Sequence, residues 1–188
     1  MADDAEITAW ALAAGQGDRD AAARFVRATQ QQVLRFLAAL TSPSEAEDLA
    51  QETFLRAARS LPSFAGRSSA KTWLLAIARR VVVDQVRAAS SRPRTVPMAD
   101  GYDAPDAHRG DFDRQVVLEQ LIAALPAERR EAFVATQILG MSYAEAAEVC
   151  GCPVGTIRSR VARAREDLVA ATTGRSGAGD RRGDNAAG

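Results

Sequence analysis

Apolar positions along the chain recur at three- and four-residue spacing, and the period-two alternation of half-buried strands is almost absent. From Ala21 to Leu40 the helical pattern is continuous, with Phe25, Val33, Phe36, Leu37 and Leu40 as candidate core positions. Thr41-Ser42-Pro43-Ser44 interrupts it, and the S-x-x-E pair of Ser44 and Glu47 predicts a capping box that opens a second helix. That helix runs to about Ser60 and turns Leu49, Ala50, Thr53, Phe54 and Ala57 inward at helical spacing. A loop, Leu61-Pro62-Ser63-Phe64-Ala65-Gly66, leads to a third helix from about Ser69 to Ala89, whose apolar side carries Trp73, Leu74, Ile77, Ala78 and Val81.

The periodicity stops between Arg92 and Phe112. Pro93, Pro97, Gly101, Pro105 and Gly110, interleaved with aspartates up to Asp113, describe an extended acidic linker. At roughly 3.3–3.6 Å per residue such a segment reaches about 70 Å, which matches two turns of DNA of about 34–36 Å each. Helical patterns resume from Arg114 to Leu125 and from Ala127 to Leu139, separated by Pro126 and closed by Gly140. Ser142 and Glu145 form another capping box, which opens a short helix ending at Gly151, a natural left-handed C′ residue. Cys152-Pro153 restarts the chain, with proline suited to a first helical position. A short helix, a glycine turn and a second helix are the outline of a helix-turn-helix.

That last helix divides into two faces. Val154, Ile157, Val161, Ala164 and Leu168 make the stripe expected to be buried. Opposite lie Gly155, Ser159 and Ala162, flanked by Thr156 and Arg163; small residues there allow close approach to base edges, and Arg163 can reach a guanine. Arg158 and Arg165 on one edge and Arg160 on the other are placed for phosphates.

Charge sharpens this picture. The net charge is zero, but residues 66–94 carry +6 and residues 153–165 carry +4, while residues 1–20 and 95–113 carry −4 each. Two basic islands thus sit in an acidic chain, one in each half. The acidic start, Met1-Ala2-Asp3-Asp4, is no signal peptide, and the most apolar stretch, Trp73 to Val83, is too short to span a bilayer and contains Arg79 and Arg80. No membrane insertion and a cytoplasmic location are expected. Cys150, Cys152 and the lone His108 cannot form a disulfide framework and make a poor zinc site, so both cysteines read as structural and no metal or cofactor is expected. No nucleophile–base pair or phosphate-cradling glycine loop is present, which disfavours an enzyme.

The run Cys152-Pro153-Val154-Gly155-Thr156-Ile157-Arg158-Ser159-Arg160 closely resembles the extracytoplasmic-function (ECF) sigma factors, and Leu125-Pro126 to Gly140-Met141-Ser142-Tyr143 resembles their region 4, which reads the −35 promoter element. Ala46-Glu47-Asp48-Leu49-Ala50-Gln51-Glu52-Thr53-Phe54-Leu55-Arg56 resembles region 2, the family's main contact with the polymerase clamp. Thr72-Trp73-Leu74-Leu75-Ala76-Ile77-Ala78-Arg79 resembles the helix that handles the −10 element. The three motifs stand in family order over about residues 20–170.

The resemblance implies an all-α chain of two small domains, a region 2 bundle over 19–91 and a region 4 helix-turn-helix over 114–173. An acidic segment, 1–18, precedes them, a flexible linker, 92–113, joins them, and a disordered tail, 174–188, follows. It implies a promoter-specificity subunit, with core RNA polymerase (β′ clamp and β flap), duplex −35 DNA and the opened −10 strand as partners, and an anti-sigma factor as a further candidate. On this reading Asp48, Gln51, Glu52 and Arg56 face the polymerase. Phe64, Arg67, Lys71, Arg79, Arg80 and Arg87 face −10 DNA, where the 61–70 loop receives an unstacked base. Thr156, Arg158, Ser159, Arg160, Arg163 and Arg165 face −35 DNA. Phe64 and Trp73 are candidate stacking platforms, although the register of Trp73 also suits the core. The linker aspartates suit either mimicry of nucleic acid in a basic channel or a plain tether. The chain departs from the family pattern at Arg67, Ala70 and Arg80, where an acid, an aromatic and an asparagine are frequent, and these positions bear on base preference at −10. The competing reading is an autonomous helix-turn-helix regulator, which would bind its operator without polymerase.

Overall fold

A computed structural model describes residues 2–90 and 109–179, with side chains over 2–89 and 116–173. Every regular element among them is helical: α1 Asp4–Gly15, α2 Arg19–Leu40, α3 Pro43–Ser60, a 3-10 turn Leu61–Ser63, α4 Ala70–Ser90, α5 Arg109–Ala123, α6 Ala127–Phe133, a π-helical turn Val134–Ile138, α7 Tyr143–Cys150 and α8 Val154–Gly179.

The first four helices form one bundle around Phe25, Val33, Phe36 and Leu37 of α2, Leu49, Ala50 and Ala57 of α3, and Leu74, Ala78 and Val81 of α4. All five core positions expected on α2 are buried. On α4, Leu75 and Val82 are buried as well, because this helix is enclosed by α1, α2, α3 and α7 and cannot keep one polar side. Phe54 and Trp73, expected inside, are only half-buried. The opening of α3 differs from expectation. Ser42, not Ser44, is the N-cap, and Glu45, not Glu47, closes the capping box. Pro43 decides between the two S-x-x-E pairs: it fits the first helical turn and holds Ser42 in the extended conformation that an N-cap needs.

The stretch 1–18, expected as an acidic segment outside the region 2 domain, contains α1. Asp3 caps it by accepting from the Glu6 amide at 2.7 Å, and Ile7 and Ala11 enter the core. Its apolar residues lie all round the helix, so no stripe announced it, whereas its alanines favour a helix wherever one face can be buried.

In the second half, α6, α7 and α8 enclose a smaller core of Ala132, Ala135, Ala146, Ala147, Cys150, Ile157 and Val161. The 127–139 helix is not uniform, since its last turn widens to π geometry. Two boundaries also move. α5 begins at Arg109, inside the stretch expected to be linker. α8 continues through Gly179, beyond the expected start of the tail, because adding a turn to an existing helix costs far less than nucleating one. The linker residues 92–108 and the tail 180–188 lie outside the described residues.

The halves are packed together. Ile122, Val134 and Val149 join the apolar cluster of the first bundle, and α7 lies against α4. Arg79 of α4 donates to Glu131 of α6 at 2.8 Å, with the two side chains only 24% and 11% exposed. Burial works against the Arg79 charge, but the hydrogen bond and negative charge of Glu131 outweigh it and raise the guanidinium pKa. Arg35 of α2 adds a longer bond to the Ile138 carbonyl at 3.4 Å.

Candidate nucleic-acid interface

The helix-turn-helix is set by local chemistry. Ser142 caps α7 reciprocally with Glu145 (2.7 Å between side chains, 3.2 Å from the Glu145 amide), as expected. Gly151 ends α7 at φ 63°, a left-handed conformation that a side chain would strain, and turns the chain toward α8. Pro153 sits just before α8 and not inside it, its carbonyl accepting from the Thr156 and Ile157 amides at 2.9 and 3.3 Å. Ile157, Val161 and Ala164 are buried, Leu168 is half-buried, and Val154, expected inside, is exposed at the first position of α8.

The opposite face of α8 is open: Gly155, Ser159, Ala162, Arg158 and Arg163 are exposed and Thr156 is half-buried. The four arginines between residues 158 and 165 separate into two pairs. Arg160 is bound to Glu128 of α6 at 2.5 Å and to the Cys152 sulfur at 3.5 Å, leaving it 18% exposed. Arg165 donates to Gln137 at 2.7 Å. Both tie α8 to the helix behind it, joined by the Arg129–Asp167 pair at 2.6 Å. Arg158 and Arg163 make no such contact among the described residues. Cys150 is buried, and desolvation pushes its thiol up to about 12, consistent with a packing role.

On the first bundle, the loop between α3 and α4 places Phe64 against Trp73, ring centroids 4.8 Å apart and tilted by 38°. Arg67, Arg80 and Arg87 are exposed. Lys71 is paired with Asp4 of α1 at 2.5 Å and Arg79 with Glu131, so the expected −10 cations do not form one open patch. On α3, Asp48 and Gln51 are exposed, whereas Glu52 and Arg56 are committed to each other at 2.7 Å and Arg56 also to Asp84 of α4 at 2.5 Å. The hydrogen bonds to Asp84 and then Glu52 raise the Arg56 pKa.

One feature escaped the sequence reading. Val26, Gln30 and Leu34 of α2 and Glu47, Ala50, Gln51, Phe54 and Leu55 of α3 line an open groove of about 590 Å³. Leu55, 54% exposed and off the buried stripe of α3, was the signal available in the sequence.

A helical bundle carrying a basic helix and an aromatic loop, followed by a helix-turn-helix whose second helix keeps an open basic face, defines the DNA-binding class. Residues 25–92 match the family model described as Sigma-70 region 2, and residues 115–168 match Sigma-70, region 4. The ECF RNA polymerase sigma factor SigC of Mycobacterium tuberculosis is 53% identical over 174 residues, spanning 89% of this chain and 92% of the relative. The fold is similar to that of CnrH, solved in complex with the cytosolic domain of CnrY (TM-score 0.71, 23% identity, 90% of this chain and 98% of that one). It is also similar to the sigma factor RpoE, solved with the anti-sigma factor NepR from Bartonella quintana (TM-score 0.60, 29% identity, 77% and 92%). The chain belongs to the ECF sigma factors, promoter-specificity subunits of RNA polymerase, and the autonomous-regulator reading is not favoured. No helix among the described residues is long and apolar enough to cross a membrane.

Proposed function

We infer that the chain binds the β′ clamp of core polymerase through α3 and its groove, reads −35 duplex with α8, and holds the opened −10 strand with α4 and the 61–69 loop. The observation that carries the clamp assignment is the groove itself. An apolar floor of exposed Val26 and Leu55 and half-buried Leu34 and Phe54, rimmed by Glu47, Gln51 and the neighbouring Asp48, suits an amphipathic helix with basic flanks. Asp48 and Gln51 contact that partner directly, and Glu52 and Arg56 act by bracing α3 against α4. For the β flap, the second module supplies the contact. The work takes place in the cytoplasm, where polymerase and promoter meet.

Reading the −10 element requires α7 to leave α4, because Arg79 is held by Glu131 and α7 lies against the −10 helix. Polymerase supplies that separation by holding the two modules apart along the promoter, where effective concentration on DNA depends on their spacing. An anti-sigma factor is the second partner proposed, supported by the likeness to a sigma factor solved with one.

The test is transcription reconstituted from core polymerase, this protein and genomic DNA, with start sites mapped. Asp48→Lys combined with Leu55→Asp, both at exposed positions, is expected to lower polymerase affinity without unfolding the bundle. Unchanged affinity would remove the clamp assignment. Tight operator binding by the protein alone, with no gain from polymerase, would restore the autonomous-regulator reading.

A further inference from the structure

The N-terminal helix α1 meets the −10 loop at three points, and all three act on backbone. At its C-terminal end, Gly15 lies so close to the loop that a Cβ there would stand 2.5 Å from the Leu61 carbonyl oxygen. One turn earlier, the Leu12 side chain lies against Gly66, about 3.5 Å from where a Cβ of that glycine would be. Near its start, the half-buried Thr8 hydroxyl donates to the Asp4 carbonyl at 2.7 Å and accepts from the Ala70 amide at 3.0 Å.

Ala70 is the first residue of α4 and is fully buried, so its amide is one of the helix-terminal donors that no carbonyl within α4 can satisfy. Ser69 caps the amide two residues on, that of Thr72, at 3.1 Å, but it does not serve Ala70. The remote hydroxyl does, from 62 residues away in sequence. Because the Thr8 proton is committed to Asp4, a lone pair of Oγ1 is left aimed at Ala70. The adjacent Lys71 ammonium is paired with Asp4 of the same α1 turn. Within the loop itself, holding interactions are sparse: the Phe64 amide to the Leu61 carbonyl at 3.0 Å and the Ser63 hydroxyl to the Ser60 carbonyl at 2.8 Å.

We propose that α1 is the positioning element of the −10 loop, with Thr8 as its principal positioning residue: it fixes where α4 begins and thereby the course of the loop, including the Phe64 ring that rests on Trp73, that receives the extruded base. Thr8 touches no DNA. It acts through Ala70 and, with Gly15 at the other end of the loop, sets the distance that Leu61 to Ala70 must span. The inference rests on the assignment of this loop to the opened −10 strand.

The experiment uses the full chain in holoenzyme. It measures polymerase affinity, the rate of opening of a duplex promoter, and discrimination among −10 bases on templates already mismatched across that element. Thr8→Val keeps shape and removes the acceptor; it should slow opening about tenfold and flatten −10 discrimination while polymerase affinity stays unchanged. Thr8→Ser keeps the hydroxyl and should restore both. Wild-type opening and discrimination in Thr8→Val would overturn the proposal, as would a failure of Thr8→Ser to rescue. If Thr8→Val also lost polymerase binding, Gly15→Ala would decide by the same readouts, since it leaves the cap and displaces only Leu61. Phe64→Ala separates the two levels. Should it open promoters normally, the −10 assignment itself fails; should it be slow while Thr8→Val is normal, only the role of α1 falls.

Discussion

The helix expected to read −35 DNA and the helix expected to handle −10 DNA carry similar charge but stand in different surroundings. On α8 the outward side is open, with Arg158 and Arg163 exposed, while Arg160 and Arg165 are spent on Glu128 and Gln137, which fix the helix against its own module. On α4 the helix is enclosed: α1 holds Lys71, α7 lies along its side, and Glu131 of the other module holds Arg79. One helix is presented and the other is partly covered, with Arg80 and Arg87 still exposed, and the cover is the module that carries the presented helix. A cation's position on a helical wheel therefore does not say whether it is available; its partners do.

Breaking either module on its own is the strongest test of that contrast. Leu49→Asp places a charge in the core of the first bundle and should destabilise it by more than about 3 kcal/mol, while the helix-turn-helix, with its own core, stays folded. Amide hydrogen exchange resolved by residue reads the two modules separately. Next in size, Ala162→Phe should push α8 out of the groove and lower −35-dependent initiation about 100-fold without loss of polymerase binding. Normal initiation in that variant would mean the presented face is a different one.

The partly covered helix is probed at the ion pair. Glu131→Gln removes the charge that holds Arg79 and should weaken the closed arrangement by about 1–3 kcal/mol, seen as a longer distance between fluorophores on the two modules. No change in that distance would show that the apolar contacts of Ile122, Val134 and Val149 hold the modules alone. The smallest effects divide the arginines of α8. Arg163→Ala should cost about 1–3 kcal/mol at one or two −35 positions, whereas Arg158→Ala should weaken all sequences alike and reduce the salt slope by about one. A uniform loss for Arg163→Ala would reassign it to phosphate. Arg160→Ala should instead lower the thermal stability of the second module, since that side chain bonds Glu128.

Several elements were legible because their signals are local. The capping box at Ser142, the left-handed Gly151 and the buried Ile157 and Val161 depend on residues within a turn or two of each other. The α3 cap was legible in kind but not in place, because two S-x-x-E pairs overlap and only the proline between them separates them. α1 was not legible, since an alanine-rich segment without a stripe becomes a helix only when a neighbouring surface buries Ile7 and Ala11.

By itself, then, the amino-acid order determined the helical class, the two basic helices and the turn that joins α7 to α8, all of which follow from short-range hydrogen bonding and from which side chains avoid water. Only the tertiary structure decided which cations are committed and which are exposed. It brings Glu131 to Arg79 across 52 positions, Asp84 to Arg56 across 28 and Thr8 to Ala70 across 62. Such pairings are set by how helices stack, and a charge or an amide carries no mark in sequence of the partner that packing will bring to it.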